Sequence, residues 1–356
     1  MSIDSSKITE APLVSFCVKC FNQKRFILEA LKGAFAQTYR PLEIVISDDA
    51  SNDGSWEIIT SAVENYRLGG GDVSIVLNRN ETNLGNMGNW LKLCELSKGE
   101  LLVKADGDDI SLPERTEKIV RAWKNDSYRA KVIYHDAEFI SPSGRSLGRL
   151  NRKPGAVIGA VMALSRETYS KFGSVDNSRI VDDEVFARRA LMIGSRLELD
   201  ECLVRYRLGT GVSSSQWNIR KVVGRCYAGL VTSLGQSRRD LEFISPCLDD
   251  ETVASWQKRL SYELSEAKKR RDLILGKTYR ERILAARKIT NVRTLSIWGF
   301  FRFAFALPRP VGGSLLFCYA LVRYLTRLMR GTLLRGEKSR RRMEVCCNGA
   351  KKADEV

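Results

Sequence analysis

The chain has 356 residues, 44% of them hydrophobic and 28% charged, which suits one large domain with an appendage and excludes a wholly disordered chain. Its formal net charge of +16 comes from lysines and arginines concentrated late in the sequence, which indicates an anionic partner for the C-terminal part. The single histidine, His135, argues against a histidine-based zinc site and against a Ser-His-Asp triad.

The first half of the chain alternates strand-like with helix-like segments. Short apolar runs predict strands at 13–18, 42–46, 73–77, 101–103 and 131–134, and the small apolar stretch 156–164 predicts another. Apolar residues at helical spacing predict helices at 26–36, 90–96 and 182–193, together with one that starts near Ser55 as its N-cap. Strands alternating with helices imply a mostly parallel sheet with right-handed crossovers.

From about residue 215 the sequence changes to long helical stretches with few strand signals. We therefore predict five regions: a flexible N-terminus at 1–10, an α/β domain at 11–215, a helical region at 216–292, amphipathic helices at 293–335 and a basic disordered tail at 336–356. The boundary near 215 depends on this change from alternating strand and helix signals to long helical stretches.

Acidic residues cluster where two of the predicted strands end. Residues 48–53 follow the second strand with three aspartates, and residues 106–109 follow 101–103 with three more. Crowded carboxylates at buried strand ends destabilise a fold unless a cation or ligand compensates them, and that edge of an α/β sheet is where ligands bind. The pattern predicts a metal-assisted site for a phosphate-bearing substrate. The alternative is a pair of solvated turns, because Asp, Asn and Gly favour turns.

Several short motifs follow one another in the first part of the chain: Val14–Asn22, Leu31–Tyr39, Asp48–Asp53, Asn83–Gly85 with Asn89, Lys98–Glu100, and Asp106–Asp109 with Pro113. In their order and spacing, these motifs resemble the opening of the family 2 nucleotide-sugar glycosyltransferases. The resemblance extends to about residue 215. It implies a GT-A-type (Rossmann-like), mostly parallel sheet flanked by helices and followed by a mainly helical C-terminal region.

The resemblance implies a donor site for a nucleotide sugar and a divalent cation, Mg²⁺ or Mn²⁺. Asp108 matches the metal-facing carboxylate of the D-x-D motif, and Asp106 lies towards the ribose and the metal. Such a cation stabilises the leaving diphosphate as a Lewis acid and prefers oxygen ligands. Asp109 is expected to cap the next helix or loop.

The same resemblance assigns the nucleotide contacts. Asp49 matches the residue that hydrogen-bonds the nucleobase, with Asp48 and Asp53 shaping that pocket, and Asn83 also falls on the donor side. Two positions depart from the family pattern. Ala50 replaces the usual glycine, and the stretch 206–209 lacks the histidine of Tyr-Arg-x-His, so we expect phosphate contact to shift to Arg205, Arg207 or Ser213.

Glycosyl transfer also needs a general base for the acceptor hydroxyl. The segment 181–189 resembles the family's Glu-Asp-x-x-x-x-x-Arg stretch, which makes Asp183 the base, Asp182 its acidic neighbour and Arg189 a structural or charge-balancing partner. The implied reaction is a single inverting displacement. The alternative is an acidic helix N-terminus, which the helix dipole favours.

The C-terminal region contains two apolar segments, 297–307 and 311–322, separated by two prolines. Neither reaches the roughly 20 residues that span a bilayer. An arginine stripe at 323, 327 and 330 beside an apolar face predicts an in-plane helix on an anionic membrane. A core-packed helical hairpin with a disordered tail, or nucleic-acid binding, are the alternatives; nucleic acid is the least favoured.

We therefore predict an inverting glycosyltransferase that moves a sugar from a nucleotide-sugar donor to a saccharide or lipid-linked glycan acceptor in polysaccharide biosynthesis. Nine irregularly spaced cysteines and the lack of a secretory signal favour a cytoplasmic enzyme, held peripherally at the inner face of the membrane. The alternatives are a nucleotidyltransferase, which would show a glycine-rich loop where residues 19–25 have no glycine, and a non-catalytic membrane- or polyanion-binding adaptor.

Overall fold

The computed structural model describes residues 11–150, 159–175, 182–210 and 219–275. The strands are β1 (Val14–Cys20), β2 (Leu42–Asp48), β3 (Ser74–Arg79), β4 (Leu101–Asp106), β5 (Ile110–Ser111), β6 (Ala130–Ile140), β7 (Ser146–Arg149), β8 (Met162–Ser165) and β9 (Ser195–Arg207). The α-helices are α1 (Ile27–Phe35), α2 (Ser55–Leu68), α3 (Gly85–Leu96), α4 (Arg115–Asn125), α5 (Glu167–Ser170), α6 (Asp182–Ile193), α7 (Ile219–Ile244) and α8 (Asp250–Leu275).

These strands form one mixed sheet in the order β3-β2-β1-β4-β8-β6-β9-β5, with β7 paired to β6. The four strands β3, β2, β1 and β4 run parallel to one another. Strand β8 is antiparallel to both β4 and β6, whereas β9 runs parallel to β6. The carboxyl ends of β1, β2 and β4 therefore meet at one edge of the sheet, where α/β folds bind their ligands.

Helices cover both faces of the sheet, which explains why β1 and β2 are nearly continuous apolar runs. On one face, α1, α2 and α4 contribute Leu31, Ile59 and Trp123 to one buried cluster. On the other face, α3 and α6 contribute Trp90 and Phe186 to a second cluster. Burial of each such side chain stabilises the fold by about 1.5–3 kcal/mol.

A third apolar cluster joins α6 to the two long helices, through residues such as Met192, Leu234 and Trp256. The described residues up to 210 and residues 225–267 form one compact unit, and the described residues 219–224 and 268–275 fall in a second. The five-region division of the chain stays a prediction, because its segments 1–10, 293–335 and 336–356 lie outside the described residues. Within the described ranges, the structure contains no helix with the length and apolar character that a membrane span requires.

The predicted elements are present with different bounds. Helix α3 starts at Gly85, five residues before the predicted start, and β6 extends to Ile140. Of the strand predicted at 156–164, the described part is a 3-10 turn at Gly159–Val161 followed by β8. Ser55 is the first residue of α2 and does not cap it, because Gly54 holds the N-cap position with a left-handed backbone at φ 93°.

Candidate active site

Three polar residues lie side by side where the central parallel strands end. In the strand register Lys19 is paired with Asp106, and Cys20 is paired with Asp48. The amide of Asp49 then donates to the carbonyl of Cys20 at 2.9 Å, which fixes the start of the loop after β2. The parallel register thus brings both predicted acidic clusters to one edge of the sheet.

The carboxylate of Asp49 binds the start of helix α3. Its Oδ1 accepts the amide of Leu84 and the side-chain amide of Asn80, both at 2.8 Å, and its Oδ2 accepts the amide of Gly85 at 2.9 Å. A carboxylate at a helix N-terminus satisfies free N–H groups and is favoured by the helix dipole. The two oxygens of Asp49 accept three hydrogen bonds from the chain, and the nucleobase contact expected of Asp49 stays a prediction.

Asp48 is in a different environment although it is the adjacent residue. Its side chain is fully buried, and Oδ2 accepts the Ser51 amide at 3.0 Å and lies 3.6 Å from Arg79 Nε. Within the described part of the chain, Asp48 Oδ1 has no hydrogen-bond partner. Since buried polar atoms are nearly always paired, an unpaired carboxylate oxygen at this position is unusual.

Asp53 and Asn83 shape the two loops beside Asp48. Asp53 accepts hydrogen bonds from Ser55 and from the amide of Lys24, so it ties the loop after β2 to the loop after β1. Burial alone would raise the pKa of Asp53, but these hydrogen bonds hold this pKa below its usual value. Asn83 accepts the amide of Gly85 at 3.0 Å.

The D-x-D segment follows β4 in a tightly packed turn. Asp106 Oδ1 lies 3.2 Å from Lys19 Nζ, and Asp108 Oδ2 accepts the Thr210 hydroxyl at 2.8 Å. Gly107 allows this approach, because a Cβ there would lie 2.5 Å from Gln23 Oε1 and 3.1 Å from the Lys19 carbonyl. Burial and then the charge of Asp106 raise the pKa of Asp108.

Asp109 and Arg207 lock this turn to strand β9. The Arg207 amide donates to Asp109 Oδ1 at 2.7 Å, and the Arg207 guanidinium donates to the Asp108 carbonyl and to Glu29. Arg205 donates to Glu138 and to the carbonyl of Gly144. Both arginines that we expected to contact phosphate therefore have partners within the chain, and Ser213 lies outside the described residues.

The carboxylates at this edge fit a divalent cation as a two-carboxylate site. Among the residues described, no group of three or more His, Cys, Asp or Glu is arranged to hold a metal ion. Asp106 and Asp108 nevertheless supply hard oxygen donors, and Mg²⁺ is commonly held by one or two carboxylates with water and substrate phosphate as its other ligands. The ammonium of Lys19 meanwhile balances part of the charge of Asp106.

Asp182 and Asp183 begin helix α6 and share one buried lysine. Lys104 Nζ lies 2.5 Å from Asp182 Oδ2 and 2.5 Å from Asp183 Oδ1. Burial alone would raise the pKa of Asp182, but Lys104 and Lys19 hold this pKa well below its usual range. Burial and the neighbouring Asp182 raise the pKa of Asp183 to about 6, against the opposite effect of Lys104.

Arg189 acts in the structure of the domain. Its guanidinium pairs with the carboxylate of Asp240 in α7 at 2.7 and 2.9 Å, and both side chains are buried. It also donates to the Gly173 carbonyl. Arg189 thus pairs with Asp240 and not with Asp182 or Asp183, and its role beside the acidic pair stays a prediction.

Lys19, Lys104 and Asn86 were missed by the analysis of the sequence. Asn86 donates to Asp182 Oδ1 at 2.5 Å and accepts a hydrogen bond from Lys19, so it joins the two acidic motifs. A signal was available for Lys104, because a lysine inside an apolar strand must find a buried counter-charge. Asn86 had no such signal, since an asparagine at the start of a helix is common.

Comparisons with known proteins identify the family. Residues 15–168 match the model of Glycosyl transferase family 2. The Escherichia coli protein UDP-Glc:alpha-D-GlcNAc-diphosphoundecaprenol beta-1,3-glucosyltransferase WfaP is 31% identical over 147 residues, which cover 39% of this chain and 55% of WfaP. The chain covers only 39% and 23% of the lengths of two further curated relatives.

Two solved structures share the fold at low sequence identity. S. aureus TarS in complex with UDP-GlcNAc gives a TM-score of 0.53 at 17% identity, covering 84% of this chain and 82% of that one. The mannosyltransferase PcManGT from Pyrobaculum calidifontis, in complex with GDP-Man and Mn²⁺, gives a TM-score of 0.51 at 16% identity, covering 88% of this chain and 87% of that one. Over residues 15–168 this chain is thus similar to glycosyltransferase family 2, and its fold is GT-A.

Proposed function

We propose that this chain is an inverting glycosyltransferase that moves a sugar from a nucleotide-sugar donor to a saccharide or lipid-linked glycan acceptor in polysaccharide biosynthesis. One observation carries the proposal: the partly open carboxylate of Asp183 lies in a charged network with the D-x-D motif, through Asp182 and two lysines, Lys19 and Lys104. The family match favours this function over a nucleotidyltransferase or a non-catalytic adaptor.

The reaction follows from a single displacement at the anomeric carbon. The acceptor hydroxyl attacks that carbon as its proton passes to Asp183, and the bond from the carbon to the diphosphate oxygen breaks. A carbon–oxygen bond to the acceptor forms, and the nucleoside diphosphate leaves with the bonding electron pair. Attack from the side opposite the leaving group inverts the configuration. General-base assistance of this kind contributes about 10²–10⁴ in rate.

We assign the nucleobase contact to Asp48. The unpartnered Oδ1 of this side chain, within the described part of the chain, supports the assignment, since an N–H of a nucleobase would satisfy it. Arg79, whose side chain is 42% exposed, lies against Asp48 and would move aside for the base. Asp53 and Asn83 keep the predicted role of shaping the donor pocket, and Asp49 holds the start of α3.

Asp106 and Asp108 would hold the divalent cation, Mg²⁺ or Mn²⁺. When bound, the cation supplies Lewis-acid stabilisation of the departing diphosphate. The D-x-D carboxylates at the carboxyl end of β4 support this assignment, and the solved complex of PcManGT contains Mn²⁺ beside GDP-Man.

A test with donors separates this function from the alternatives. Thermal unfolding is measured with UDP-, GDP- and dTDP-sugars plus Mn²⁺ for the wild type and for Asp108→Ala. A ligand at 100 times its Kd stabilises a protein by about 2.7 kcal/mol. We expect one nucleotide class to raise the midpoint in the wild type and not in the variant. Equal midpoints with every donor would refute the donor site.

The acceptor and the location are proposed together. The name of WfaP describes a lipid-linked diphosphoundecaprenol substrate, which supports a lipid-linked acceptor and a position at the cytoplasmic face of a membrane. The arginines at positions 323, 327 and 330, which lie outside the described residues, would bind anionic lipid. Flotation with vesicles that contain phosphatidylglycerol should recover the protein, and vesicles of phosphatidylcholine alone should not. Full recovery in the soluble fraction with both would contradict membrane binding.

A further inference from the structure

Lys104 is a charged residue in the middle of an otherwise apolar strand. Its neighbours Leu101, Leu102 and Val103 are buried, and its own side chain is only 2% exposed. Burying an ammonium group destabilises a protein unless the charge is paired closely. The two carboxylates at the start of α6 provide that pairing, both at 2.5 Å from the lysine nitrogen.

The two aspartates bound by Lys104 differ in access. The side chain of Asp182 is 2% exposed, and its second oxygen accepts the amide of Asn86. The side chain of Asp183 is 24% exposed, so it is the member of the pair that a substrate can reach. Asp182 is therefore the permanent counter-charge of the lysine, whereas Asp183 shares the lysine and remains open to a ligand.

Asp183 is held from two sides. Lys104 binds Oδ1, and the amide of Gly159 donates to Oδ2 at 2.8 Å. The approach of Gly159 is close, because a Cβ at this position would lie 2.0 Å from Asp183 Oδ1. One carboxylate oxygen is thus fixed by a charge and the other by the backbone.

The charged and titratable groups that face Asp183 come from five elements. They are Lys104 from β4, Asp182 from α6, Lys19 from β1, Tyr134 from β6 and Tyr206 from β9. Burial and Asp182 raise the pKa of Asp183, and the two lysines lower it. Lys104 is the lysine in direct contact, so its removal would leave the raising effects largely uncompensated.

We propose that Lys104 is a positioning residue that fixes both the orientation and the charge of the Asp183 carboxylate, so that Asp183 can accept the proton of the acceptor. This inference rests on the proposed function, in which Asp183 is the base. Lys104 itself takes no proton in the step, because it stays paired with Asp182 after Asp183 is protonated.

The test measures nucleoside diphosphate release from UDP-glucose, UDP-GlcNAc and GDP-mannose with Mn²⁺, with water as the acceptor, between pH 5 and 9. The full chain is used as wild type, Lys104→Met, Lys104→Arg and Asp183→Asn. A cation near a carboxylate lowers the pKa of that carboxylate by about 1–3 units. The acid limb of the rate profile, where the rate falls as Asp183 is protonated, should therefore lie at least about 1 pH unit higher in Lys104→Met than in the wild type. Lys104→Arg should restore the wild-type limb, and the donor KM should change little in either variant.

Two further variants guard against a merely structural effect. Gly159→Ala displaces the same carboxylate without removing a charge, so it should lower kcat at every pH and move the acid limb less than Lys104→Met does. Lys92→Met is the matched control, since Lys92 on α3 pairs with the exposed Glu95 at 2.8 Å and should leave the profile unchanged.

The outcomes distinguish this inference from the proposed function. If Asp183→Asn abolishes release but folded Lys104→Met keeps the wild-type acid limb, the role of Lys104 is structural and the inference is overturned. If Lys104→Met does not fold, Gly159→Ala provides the test. A wild-type kcat in Gly159→Ala would show that the position of the Asp183 carboxylate does not matter, and the inference is overturned. If Asp183→Asn releases nucleotide at the wild-type rate, Asp183 is not the base and the proposed function fails first.

Discussion

Asp48 and Asp49 are adjacent in sequence, yet their carboxylates lie in different surroundings. Asp49 accepts two hydrogen bonds from the start of α3 and one from Asn80, whereas Asp48 has a buried oxygen without a partner among the described residues. We expect Asp49→Ala to lower the free energy of unfolding by about 1–3 kcal/mol, because buried N–H groups lose their acceptor. Asp48→Asn should weaken nucleotide binding at least about tenfold while changing stability less.

Urea unfolding and calorimetric titration of UDP or GDP check both halves of this expectation. The matched pair of variants controls for a general disturbance of the loop. Nucleotide affinity lost in the Asp49 variant alone, with its stability intact, would return the nucleobase contact to Asp49.

Ala50 has a left-handed backbone with φ 58° at the position where the family has glycine. Left-handed residues with a Cβ are strained by about 1–2 kcal/mol, and the greater freedom of glycine in the unfolded chain offsets part of the gain. We expect Ala50→Gly to raise the free energy of unfolding by up to about 1 kcal/mol. The reverse change, Gly54→Ala at φ 93°, should destabilise; a stable Gly54→Ala would contradict the argument.

The pH dependence of transfer should follow Asp183. Burial and the adjacent Asp182 raise its pKa to about 6, and a general base acts in its deprotonated form. We therefore expect the rate to be full above pH 7 and to fall about tenfold per unit below pH 6, as one ionisation requires. A rate profile from pH 4.5 to 8.5 measures this limb. A rate independent of pH down to 4.5 would exclude this carboxylate as the base.

At the scale of the element, helix α1 packs against the short strand β5 through Gly33. A Cβ at Gly33 would lie 2.7 Å from the carbonyl oxygen of Ser111, which is backbone and cannot rotate away. We expect Gly33→Ala to lower the free energy of unfolding by about 1–3 kcal/mol, since overpacking outweighs the better helix propensity of alanine.

Gly235 in α7 is the control, because a Cβ there would meet nothing within 4 Å among the described residues. Gly235→Ala should raise stability by up to about 1 kcal/mol through helix propensity alone. Guanidinium unfolding of the two variants compares them directly. Equal effects of the same sign would show that α1 does not make this close contact.

At the scale of the whole molecule, residues 225–267 of the helices after the sheet belong to the same compact unit as the sheet. Asp240 pairs with the buried Arg189, and Leu234 and Trp256 complete an apolar cluster against α6. Breaking a buried ion pair by removing one partner destabilises by about 3–5 kcal/mol. We expect a fragment 1–215 to lose cooperative thermal unfolding, whereas 1–275 keeps it. A cooperative transition of 1–215 at the wild-type midpoint would contradict this dependence.

Much of this protein was determined by local sequence. Apolar runs such as Ile44–Ile46 form the centres of buried strands, because a segment buried on both faces is mostly apolar. The acidic motifs at the ends of β2 and β4 could be placed at one sheet edge before the structure was known, since parallel strands with helical crossovers end on the same side. The family could be identified from the order of those motifs.

The tertiary structure decided what the sequence left open, because it depends on contacts between distant residues. Strands β5 and β9 gave no clear pattern, as a two-residue strand has no period and β9 is half-exposed. The pairing of Lys104 with Asp183 joins residues 79 positions apart, so no local spacing predicts it. The contrast between Asp48 and Asp49 likewise depends on where α3 begins in space, since the helix N-terminus satisfies Asp49 whereas one oxygen of Asp48 has no partner among the described residues.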